Sequence, residues 1–513
     1  MADFDAVIVG SGVNGLARGA LLAQAGWRVC VLERNEWFGG AIKTAEITVP
    51  GFHHDVFSAW HPLWVGGPAH AQLGAELTGH GLEYLNTDLP TGTLTPDGES
   101  AFLLRTADAN AAELGEEWNA MLGSFFPNAD LSFGILGTEL RSRHAAALAW
   151  KAVRRLGRDG ALDFTGRLLV SARDWLEETF ASPRAHGVLA PWVLHTGLGP
   201  EAPGSGYMAQ VIAVAVQEGG MPIPRGGGAK LADALVSYIR AHGGTCELGV
   251  HVERVSSGGV RTSSGARITA ERAVVCNVTP TQLYGNLLDL PARPFRYGRS
   301  EMQIHYALSE PPAWEGDERL GKTAIVHLTP GLDGVSRAVN EAERGLLPAE
   351  ATIVTGQPLT MDPSRAPDGK GLLWIQLQEL PWHVKGDAAG ELDVGDGTWT
   401  EDLRERYADR IQARLARHIP NLESSILGRA VLSPADLQSA NVNLVRGDPY
   451  GGSLALDQNF FWRGEHRTPV PGVWQVGAST HPGPGLGGGS GAIVAAQLLE
   501  PPLAKRVRAR FKR

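Results

Sequence analysis

Glycines recur at a spacing that suits nucleotide binding near the start of this 513-residue chain. Gly10, Gly12 and Gly15 form a Gly-x-Gly-x-x-Gly pattern that also contains Ser11 and Asn14. In such a loop the first glycine permits a tight turn, the second lets a pyrophosphate approach the backbone, and the third lets a helix pack closely on a strand. Amide groups at the start of the next helix would attract phosphate. The pattern therefore predicts an adenine-dinucleotide site; a purely structural glycine turn is the alternative.

The segments around this loop have the patterns of the elements needed to position it. Phe4 to Val9 is a continuous apolar run, typical of a strand buried on both faces of a parallel sheet. Leu16 to Ala25 has helical periodicity and ends at Gly26, and Arg28 to Leu32 predicts a second buried strand. Glu33 follows that strand, where a carboxylate would accept hydrogen bonds from a ribose diol.

The residues after Glu33 distinguish between two dinucleotides. Glu33 and Arg34 lead into the pair Gly39-Gly40, giving Glu-x5-Gly-Gly. A glycine pair at this distance lets the chain pass close to a long cofactor, and the pattern resembles the second part of the FAD fingerprint in glutathione-reductase-like flavoproteins. The sequence therefore predicts FAD, bound noncovalently, rather than NAD.

A second glycine-rich loop lies near the other end of the chain. Val473 to Gly477 predicts a strand, and Ala492 to Leu499 predicts a helix. The N-terminus of this helix, at the end of the glycine-rich loop, would carry a partial positive charge. That charge would stabilise negative charge developing at flavin N1/O2 on reduction. The residues predicted to contact the flavin there are Gly477, Thr480, Gly488, Gly489 and Ser490.

With these motifs the chain resembles the phytoene-desaturase-like FAD oxidoreductases, within the amine-oxidase-like flavoprotein group. The matching stretches are GSGVNGL, ERNEWFGG, GFHHDVFSAWHPL, GGMPIPRGGGAKLADAL, NVNLVRGDPYGGSLALDQNFF and VGASTHPGPGLGGGSG. Two of them, GFHHDVFSAWHPL and GDPYGGS, most resemble the branch called pyridine nucleotide-disulfide oxidoreductase domain-containing protein two. The chemistry in that branch name is not expected, because the chain has no Cys-x-x-Cys motif.

The resemblance implies an α/β fold with a discontinuous Rossmann-like FAD-binding domain of the glutathione-reductase/amine-oxidase type. That domain would comprise residues 1–75, 215–285 and 440–513. Residues 76–214 and 286–439 would form a mixed α+β substrate-binding domain with a helical insertion. The resemblance also implies that the backbone of Val252 contacts the adenine end of FAD. Ala478 stands where many wider relatives carry an acid. Desaturase-like members resemble this sequence in lacking that acid.

The expected activity is dehydrogenation of an apolar or amphipathic organic substrate, with hydride leaving a C–H bond for flavin N5 to form C=C or C=N. His61 and His481 are the candidate bases, although a structural role is the alternative for each. No GxSxG elbow or HExxH motif is present, so hydrolase and metal chemistry have no support. The alternatives are an amine oxidase releasing hydrogen peroxide and a flavin-bound interaction protein without turnover.

The middle of the chain lacks the second Gly-x-Gly-x-x-Gly unit that a pyridine-nucleotide-dependent flavin reductase carries. Gly226 to Gly228 is the dense glycine cluster there, and it follows two prolines rather than a buried strand. The reduced flavin is therefore expected to pass electrons to oxygen, a quinone or another diffusible acceptor.

Charge and cysteine content narrow the possible partners. With 46 Lys and Arg against 55 Asp and Glu, the net charge is -9, so no nucleic-acid partner is expected. Cys30, Cys246 and Cys276 lie in strand-like runs, which suits a reducing compartment, and the first residues lack a signal-peptide pattern, so we expect a cytoplasmic protein.

The segment Glu139 to Arg173 carries eight basic and three acidic residues, which predicts either a solvated helix face or a peripheral membrane contact. The sequence predicts no particular oligomeric state.

Overall fold

The first apolar run forms the strand that the sequence predicts, and the loop and helix follow it directly. In the computed structural model, which describes residues 2–291 and 294–500, Phe4–Val9 is a strand and Val13–Gln24 a helix. Val7 pairs in parallel register with Cys30 on one side and Val274 on the other. The glycine-rich loop therefore opens at the carboxyl end of a central parallel strand, where ligands bind in open α/β sheets. Residues 501–513 of the predicted FAD domain lie outside the described residues.

Two seven-stranded sheets organise the described chain. Their strands, in chain order, are β1 (Phe4–Val9), β2 (Val29–Leu32), β3 (Thr91–Leu94), β4 (Ser100–Leu103), β5 (Thr245–Glu247), β6 (Val252–Ser256), β7 (Gly259–Thr262), β8 (Arg267–Cys276), β9 (Ser300–Leu308), β10 (Ile325–Leu328), β11 (Ile353–Gly356), β12 (Gly371–Leu380), β13 (Ile426–Leu432) and β14 (Val473–Gln475). Three two-stranded pairs add Thr44–Ala45 with His54–Asp55, Tyr84–Leu85 with Ile223–Pro224, and Leu346–Leu347 with Gly386–Asp387.

The first sheet has the order β6-β7-β8-β1-β2-β5, with β14 added to β8. Its strands β14, β8, β1, β2 and β5 are parallel, and their apolar side chains are buried on both faces. One face packs against helices, and the other packs against β6, β7 and residues 283–288. This is a Rossmann-like sheet assembled from three distant parts of the chain, all within the ranges predicted for the cofactor domain.

The second sheet has the order β13-β9-β12-β11-β10-β3-β4 and is antiparallel apart from the pairing of β10 with β3. Its long central strands, β9 and β12, contain Met302 to Ala307 and Leu372 to Leu377, two apolar runs whose pattern predicts strands. Alternate residues on them have opposite environments: Met302 and Ile304 pack into a core, whereas Glu301 and Gln303 line a cavity. All of these strands fall within the predicted substrate-domain ranges, and the predicted α/β fold class is confirmed.

Helices cover both sheets. They are α1 (Val13–Gln24), α2 (Pro62–Val65), α3 (Pro68–Thr78), α4 (Ala107–Leu114), α5 (Glu117–Phe125), α6 (Ala129–Gly137), α7 (Arg143–Arg167), α8 (Ala172–Thr179), α9 (Pro183–Leu189), α10 (Ser205–Gly219), α11 (Ala229–Ala241), α12 (Pro280–Gln282), α13 (Gly331–Glu343), α14 (Glu401–Ala416), α15 (Leu422–Ser425), α16 (Pro434–Ala440) and α17 (Gly489–Leu499). Among the described residues, no helix is both long enough and apolar enough to cross a bilayer.

The three cysteines are buried in strands of the first sheet. Burial raises the pKa of Cys30 to about 11 and the pKa values of Cys246 and Cys276 to about 12. Because the thiolate is the reactive form, these side chains act as small apolar groups in the core.

The helix α7 differs from its neighbours because none of its residues is buried. Trp150 and Leu162 on this helix are 64% and 61% exposed. Five of the eight basic residues in the segment 139–173 form ion pairs, namely Arg141 with Glu465, Arg143 with Glu500, Lys151 and Arg155 with Asp130, and Arg173 with Glu177, Glu201 and Asp333. Most of the basic excess read from the sequence is therefore neutralised within the folded protein.

A buried ion pair connects the segment that follows β2 to the segment between β11 and β12. The Arg365 guanidinium lies 2.9 Å from the Asp55 carboxylate, and both side chains are 1% exposed. Asp55 Oδ1 also accepts hydrogen bonds from Thr44 Oγ1 at 2.7 Å and from the Gly228 amide at 2.8 Å. Asp55 thus joins the GFHHD segment and the Gly226–Gly228 turn to a residue of the substrate domain.

Candidate functional site

The loop after β1 brings backbone from two segments into close contact. Gly10 adopts φ +89°, a left-handed conformation that favours glycine. A Cβ at Gly12 would lie 2.4 Å from Asn277 Nδ2, and a Cβ at Gly40 would lie 3.0 Å from the Gly12 Cα. Because there is no room for a side chain at Gly12 or Gly40, the backbone amides of this loop are left accessible to a ligand. This is a cradle of the kind that a pyrophosphate needs.

Glu33 holds this loop in place. Its Oε2 accepts hydrogen bonds from the Ser11 amide at 2.8 Å and from Ser11 Oγ at 2.7 Å, and its Oε1 accepts one from the Asn35 amide at 2.9 Å. The Glu33 side chain is buried and lines the cavity described below. An ionised carboxyl group offers about four acceptor positions, so capacity remains for a sugar hydroxyl.

Two helix N-termini meet at the cradle. Helix α1 begins after Gly12 and helix α17 after Gly488, and the Gly491 amide donates to Asn14 Oδ1 at 3.3 Å. Neither helix has an acidic residue in its first turn or a side-chain cap. Their free amides and partial positive charges are therefore available to one anionic ligand. Together with Glu33, this donor and acceptor set fits a dinucleotide.

One cavity of about 1600 Å³ contains the cradle and extends into the second domain. Thirteen of the seventeen residues singled out from the sequence line it: Gly10, Ser11, Gly12, Asn14, Glu33, Arg34, Gly39, Gly40, Val252, Gly477, His481, Gly489 and Ser490. Ligand pockets are typically about 300–1,000 Å³, so this volume leaves room for a second molecule beside a cofactor.

Three of the remaining residues support the site without lining the cavity. A Cβ at Gly15 would lie 2.6 Å from the Gly10 carbonyl oxygen, so this glycine permits close packing of α1 on the loop. Thr480 Oγ1 donates to the Gly477 carbonyl at 2.9 Å and lies 2.7 Å from Ser490 Oγ, so it braces the second loop. Gly488 packs against Trp64, Ala69 and Ala17.

The two candidate histidines occupy different environments. His61 is fully buried outside the cavity lining, its Nδ1 lies 3.0 Å from Tyr84 Oη, and burial lowers its pKa to about 4. His481 lines the cavity, and its Nε2 donates to the Ile135 carbonyl at 2.8 Å. Burial also lowers the pKa of His481 to about 4, so it is neutral at pH 7 with its proton on Nε2. Only His481 is placed to reach a ligand.

Beyond the cradle the cavity becomes an apolar chamber that the motifs did not reveal. It is lined by Phe126, Phe133, Trp192, Met208, Val211 and Ile212. These side chains come from helices α6 and α10 and from the connections beside them. Their periodicity reads as core packing, so the sequence gives no sign that they face a ligand.

A polar cluster lies on the sheet side of the same cavity. Glu301 Oε1 accepts a hydrogen bond from Tyr450 Oη at 2.7 Å, and its Oε2 accepts one from Gln376 Nε2 at 2.7 Å. Gln378 Nε2 in turn donates to Tyr450 Oη at 2.9 Å. The alternation of polar and apolar residues along β9 and β12 is the sequence signal that could have identified this cluster.

Known proteins resemble this chain over nearly its whole length. A family model for flavin containing amine oxidoreductases matches residues 14–497. Pyridine nucleotide-disulfide oxidoreductase domain-containing protein 2 of Rattus norvegicus is 26% identical, with 95% of this chain and 92% of that protein covered. The zeta-carotene-forming phytoene desaturase of Myxococcus xanthus is 25% identical, with 94% and 90% covered.

Solved structures agree on the fold. The cyclohexylamine oxidase of Brevibacterium oxydans IH-35A superposes with a TM-score of 0.58 at 18% identity, with 99% of this chain and 100% of that chain covered. The family match spans nearly the whole chain, and the cradle has the donors and acceptors that a dinucleotide requires. The protein is therefore an FAD-dependent oxidoreductase that belongs to the flavin containing amine oxidoreductase family.

Proposed function

We propose that this enzyme dehydrogenates a C–H bond of an apolar or amphipathic organic molecule, forming C=C or C=N. The observation that supports this most directly is the single cavity, which joins the dinucleotide cradle to an apolar chamber. Bound FAD supplies the oxidising power, because its flavin accepts a hydride from carbon. The protein then has to bind the substrate, orient it and exclude water.

In this proposal the cavity residues from Val252 to the turn that follows Gly477 would hold FAD. The Gly12 backbone and the start of α1 would hold the pyrophosphate, and Glu33 would hold the adenosine ribose. The start of α17, with Gly489 and Ser490, faces the flavin. These assignments rest on the free amides at both helix starts, for which only an anionic or electron-rich ligand is a suitable partner.

The names of the relatives favour oxidation at carbon in two forms. The Myxococcus protein is named for desaturation and the Brevibacterium protein for oxidation of an amine. The apolar chamber favours dehydrogenation of a largely apolar molecule over oxidation of a small polar amine. Hydrogen peroxide release with simple amines would support the amine-oxidase alternative, and a flavin that no substrate reduces would support a non-catalytic role.

His481 is the better-placed of the two candidate bases. Its Nε2 proton is engaged by Ile135, so Nδ1 is the atom that can accept a hydrogen bond or a proton from substrate. A base is needed only where a proton leaves together with the hydride. His61 serves to hold the GFHHDVFSAWHPL segment, because its backbone amide donates to the Pro222 carbonyl at 2.9 Å.

The carboxylate of Glu33 provides a test of the cofactor orientation. Glu33→Ala is expected to weaken FAD binding by about tenfold to a hundredfold, since a hydrogen bond to a charged group contributes roughly 1.5–3 kcal/mol. FMN binding should change much less, because FMN lacks the adenosine ribose. Fluorescence titration of the apoprotein measures both affinities. The control is the nearby, exposed Glu36→Ala, and equal weakening of FAD and FMN would assign Glu33 another role.

Anaerobic bleaching of the bound flavin tests the proposed reaction. We expect at least one member of a panel of polyenes, long-chain amines and cyclic imines to reduce the flavin rapidly. NADH and NADPH should reduce it slowly or not at all, because the chain lacks a second dinucleotide motif. Stopped-flow absorbance measures both rates. Fast, saturable bleaching by either nucleotide would place the protein among the pyridine-nucleotide-dependent reductases instead.

Helix α7 is the element proposed to contact membranes. Because half of its Lys and Arg side chains, Arg143, Lys151 and Arg155, are paired, apolar burial of Trp150 and Leu162 would drive binding, at roughly 1.5–3 kcal/mol for each side chain. Binding to anionic vesicles should therefore depend only weakly on salt and should be lost in the double variant Trp150→Ser, Leu162→Ser. Vesicle co-sedimentation measures this. A steep fall in vesicle binding as the salt concentration rises would indicate an electrostatic contact instead. If the protein does not bind vesicles even at low salt, α7 is a solvated helix.

A further inference from the structure

The cluster around Glu301 has more hydrogen-bond acceptors than donors. The Tyr450 hydroxyl and the Gln376 amide donate to Glu301, and the Gln378 amide donates to the Tyr450 hydroxyl oxygen. An ionised carboxyl group offers about four acceptor positions, and at Glu301 the side chains of Tyr450, Gln376 and Gln378 occupy three of them. Within the described residues, the amide oxygens of Gln303 and Gln378 are buried and meet no donor.

All of these side chains are almost completely removed from solvent and line the cavity. Glu301, Gln303 and Gln378 are 2%, 3% and 1% exposed. Leaving a buried acceptor without a donor costs about 1–3 kcal/mol, and more for a charged group. Burial raises the pKa of Glu301 to about 7, although the hydrogen bonds from Tyr450 and Gln376 act in the opposite direction. The cluster therefore lacks a partner that donates hydrogen bonds.

The cluster is also connected to the flavin loop. Tyr450 belongs to the GDPYGGS segment, and the next residue, Gly451, accepts a hydrogen bond from Ser479 Oγ at 2.7 Å. The Arg463 guanidinium donates to the backbone carbonyls of both Tyr450 and Ala478. A ligand held at Glu301 would thus be fixed relative to the turn that follows Gly477.

We propose that Glu301, Gln303 and Gln378 bind a hydrogen-bond-donating head, an ammonium or hydroxyl group, on an otherwise apolar substrate. This inference rests on the proposed function, because it assigns a substrate class to the same cavity. A pure hydrocarbon in the chamber would exclude water and leave both amide oxygens, and the remaining acceptor position of the carboxyl group, without donors. The natural substrate is therefore amphipathic, with its polar end at β9 and β12 and its apolar chain among the side chains of α6 and α10.

Binding of three probes that share one alkyl chain tests the head-group requirement. Equilibrium dialysis of the holoenzyme with radiolabelled n-octylamine, 1-octanol and n-octane should give affinities at least tenfold higher for the amine or the alcohol than for the alkane. Glu301→Gln should weaken octylamine binding by about tenfold to a hundredfold. A larger loss for octylamine than for octanol assigns a cationic head, and similar losses assign a neutral donor; both results support the proposal.

The matched control is Glu379→Gln. Glu379 is equally buried on β12, and burial likewise raises its pKa to about 7, but it lies outside the cavity lining. Its substitution should leave all three affinities unchanged. If Glu301→Gln fails to fold with FAD, Gln303→Leu replaces it, because this change removes no hydrogen bond that the protein itself makes to the amide oxygen.

Two results would overturn the proposal: n-octane binding as tightly as the other probes, or donor-probe affinities that both the Glu301 and the Gln303 substitutions leave unchanged. Dialysis requires no turnover, so it is independent of the bleaching test. A protein that binds donor heads but is bleached by no compound would refute the proposed reaction and leave the head-group site standing.

Discussion

Gly12→Trp is expected to give a folded, colourless protein that no longer binds FAD. The substituted side chain would start 2.4 Å from Asn277 Nδ2, so it has to displace Asn277 or fill the space beside the Gly12 backbone. That space is where the pyrophosphate has to approach the chain. The absorbance of bound flavin in the purified protein, together with circular dichroism for the fold, measures the outcome.

Gly258→Trp is the appropriate control for this substitution. Gly258 lies in the turn between β6 and β7 of the same sheet, and a Cβ there would meet no atom within 4 Å. This variant should remain yellow. If the Gly12 variant also purified with a full complement of FAD, the cradle after β1 would not be the pyrophosphate site.

Arg365→Met is expected to destabilise the protein severely, by about 3–5 kcal/mol, because it leaves the Asp55 carboxylate buried without its counter-charge. The hydrogen bond from Arg365 Nε to the His53 carbonyl would also be lost. For a domain of about 150–250 residues, such a loss lowers Tm by about 6–20 °C. Scanning calorimetry of the holoenzyme provides the measurement.

The double variant Asp55→Asn, Arg365→Met separates charge from packing. Asparagine keeps an oxygen for the donors of Thr44 and Gly228 but removes the charge, so much of the lost Tm should return. Arg225→Met, which breaks an exposed ion pair with Glu83, should leave Tm almost unchanged, because water screens such pairs. A single Arg365 variant as stable as the parent would show that the pair does not hold the domains together.

The elements that bind the dinucleotide are predictable because their signals are local. About thirty residues contain the strand before Gly10, the helix after it and the acid that follows β2. Each element has its own periodicity or turn chemistry. The family resemblance adds the distant second loop. The strands Met302 to Ala307 and Leu372 to Leu377 are likewise predicted from short apolar runs, and they form parts of β9 and β12.

The acceptor cluster is not predictable in the same way. Glu301 and Tyr450 are 149 residues apart in the chain and meet only because β9 and the GDPYGGS segment pack together. Polar residues that alternate with apolar ones ordinarily indicate a solvated sheet face. Only the tertiary fold shows that this face of β9 and β12 is covered by helices and encloses a cavity. The role of Asp55 is equally non-local, since its partner Arg365 comes from the other domain.

The order of strands in the first sheet has a consequence for synthesis of the protein. Strands β1 and β2 leave the ribosome early, whereas β14, which completes the sheet beside β8, follows about 440 residues later. At about 5–20 residues per second, that interval lasts roughly 20–90 s. The cofactor cradle stays unfinished during this time, and the edge of β8 is open to other nascent chains for about the last 200 residues of it, roughly 10–40 s. Chaperone protection and FAD supply should therefore matter most in the last stage of translation, when the final strand and helix α17 emerge.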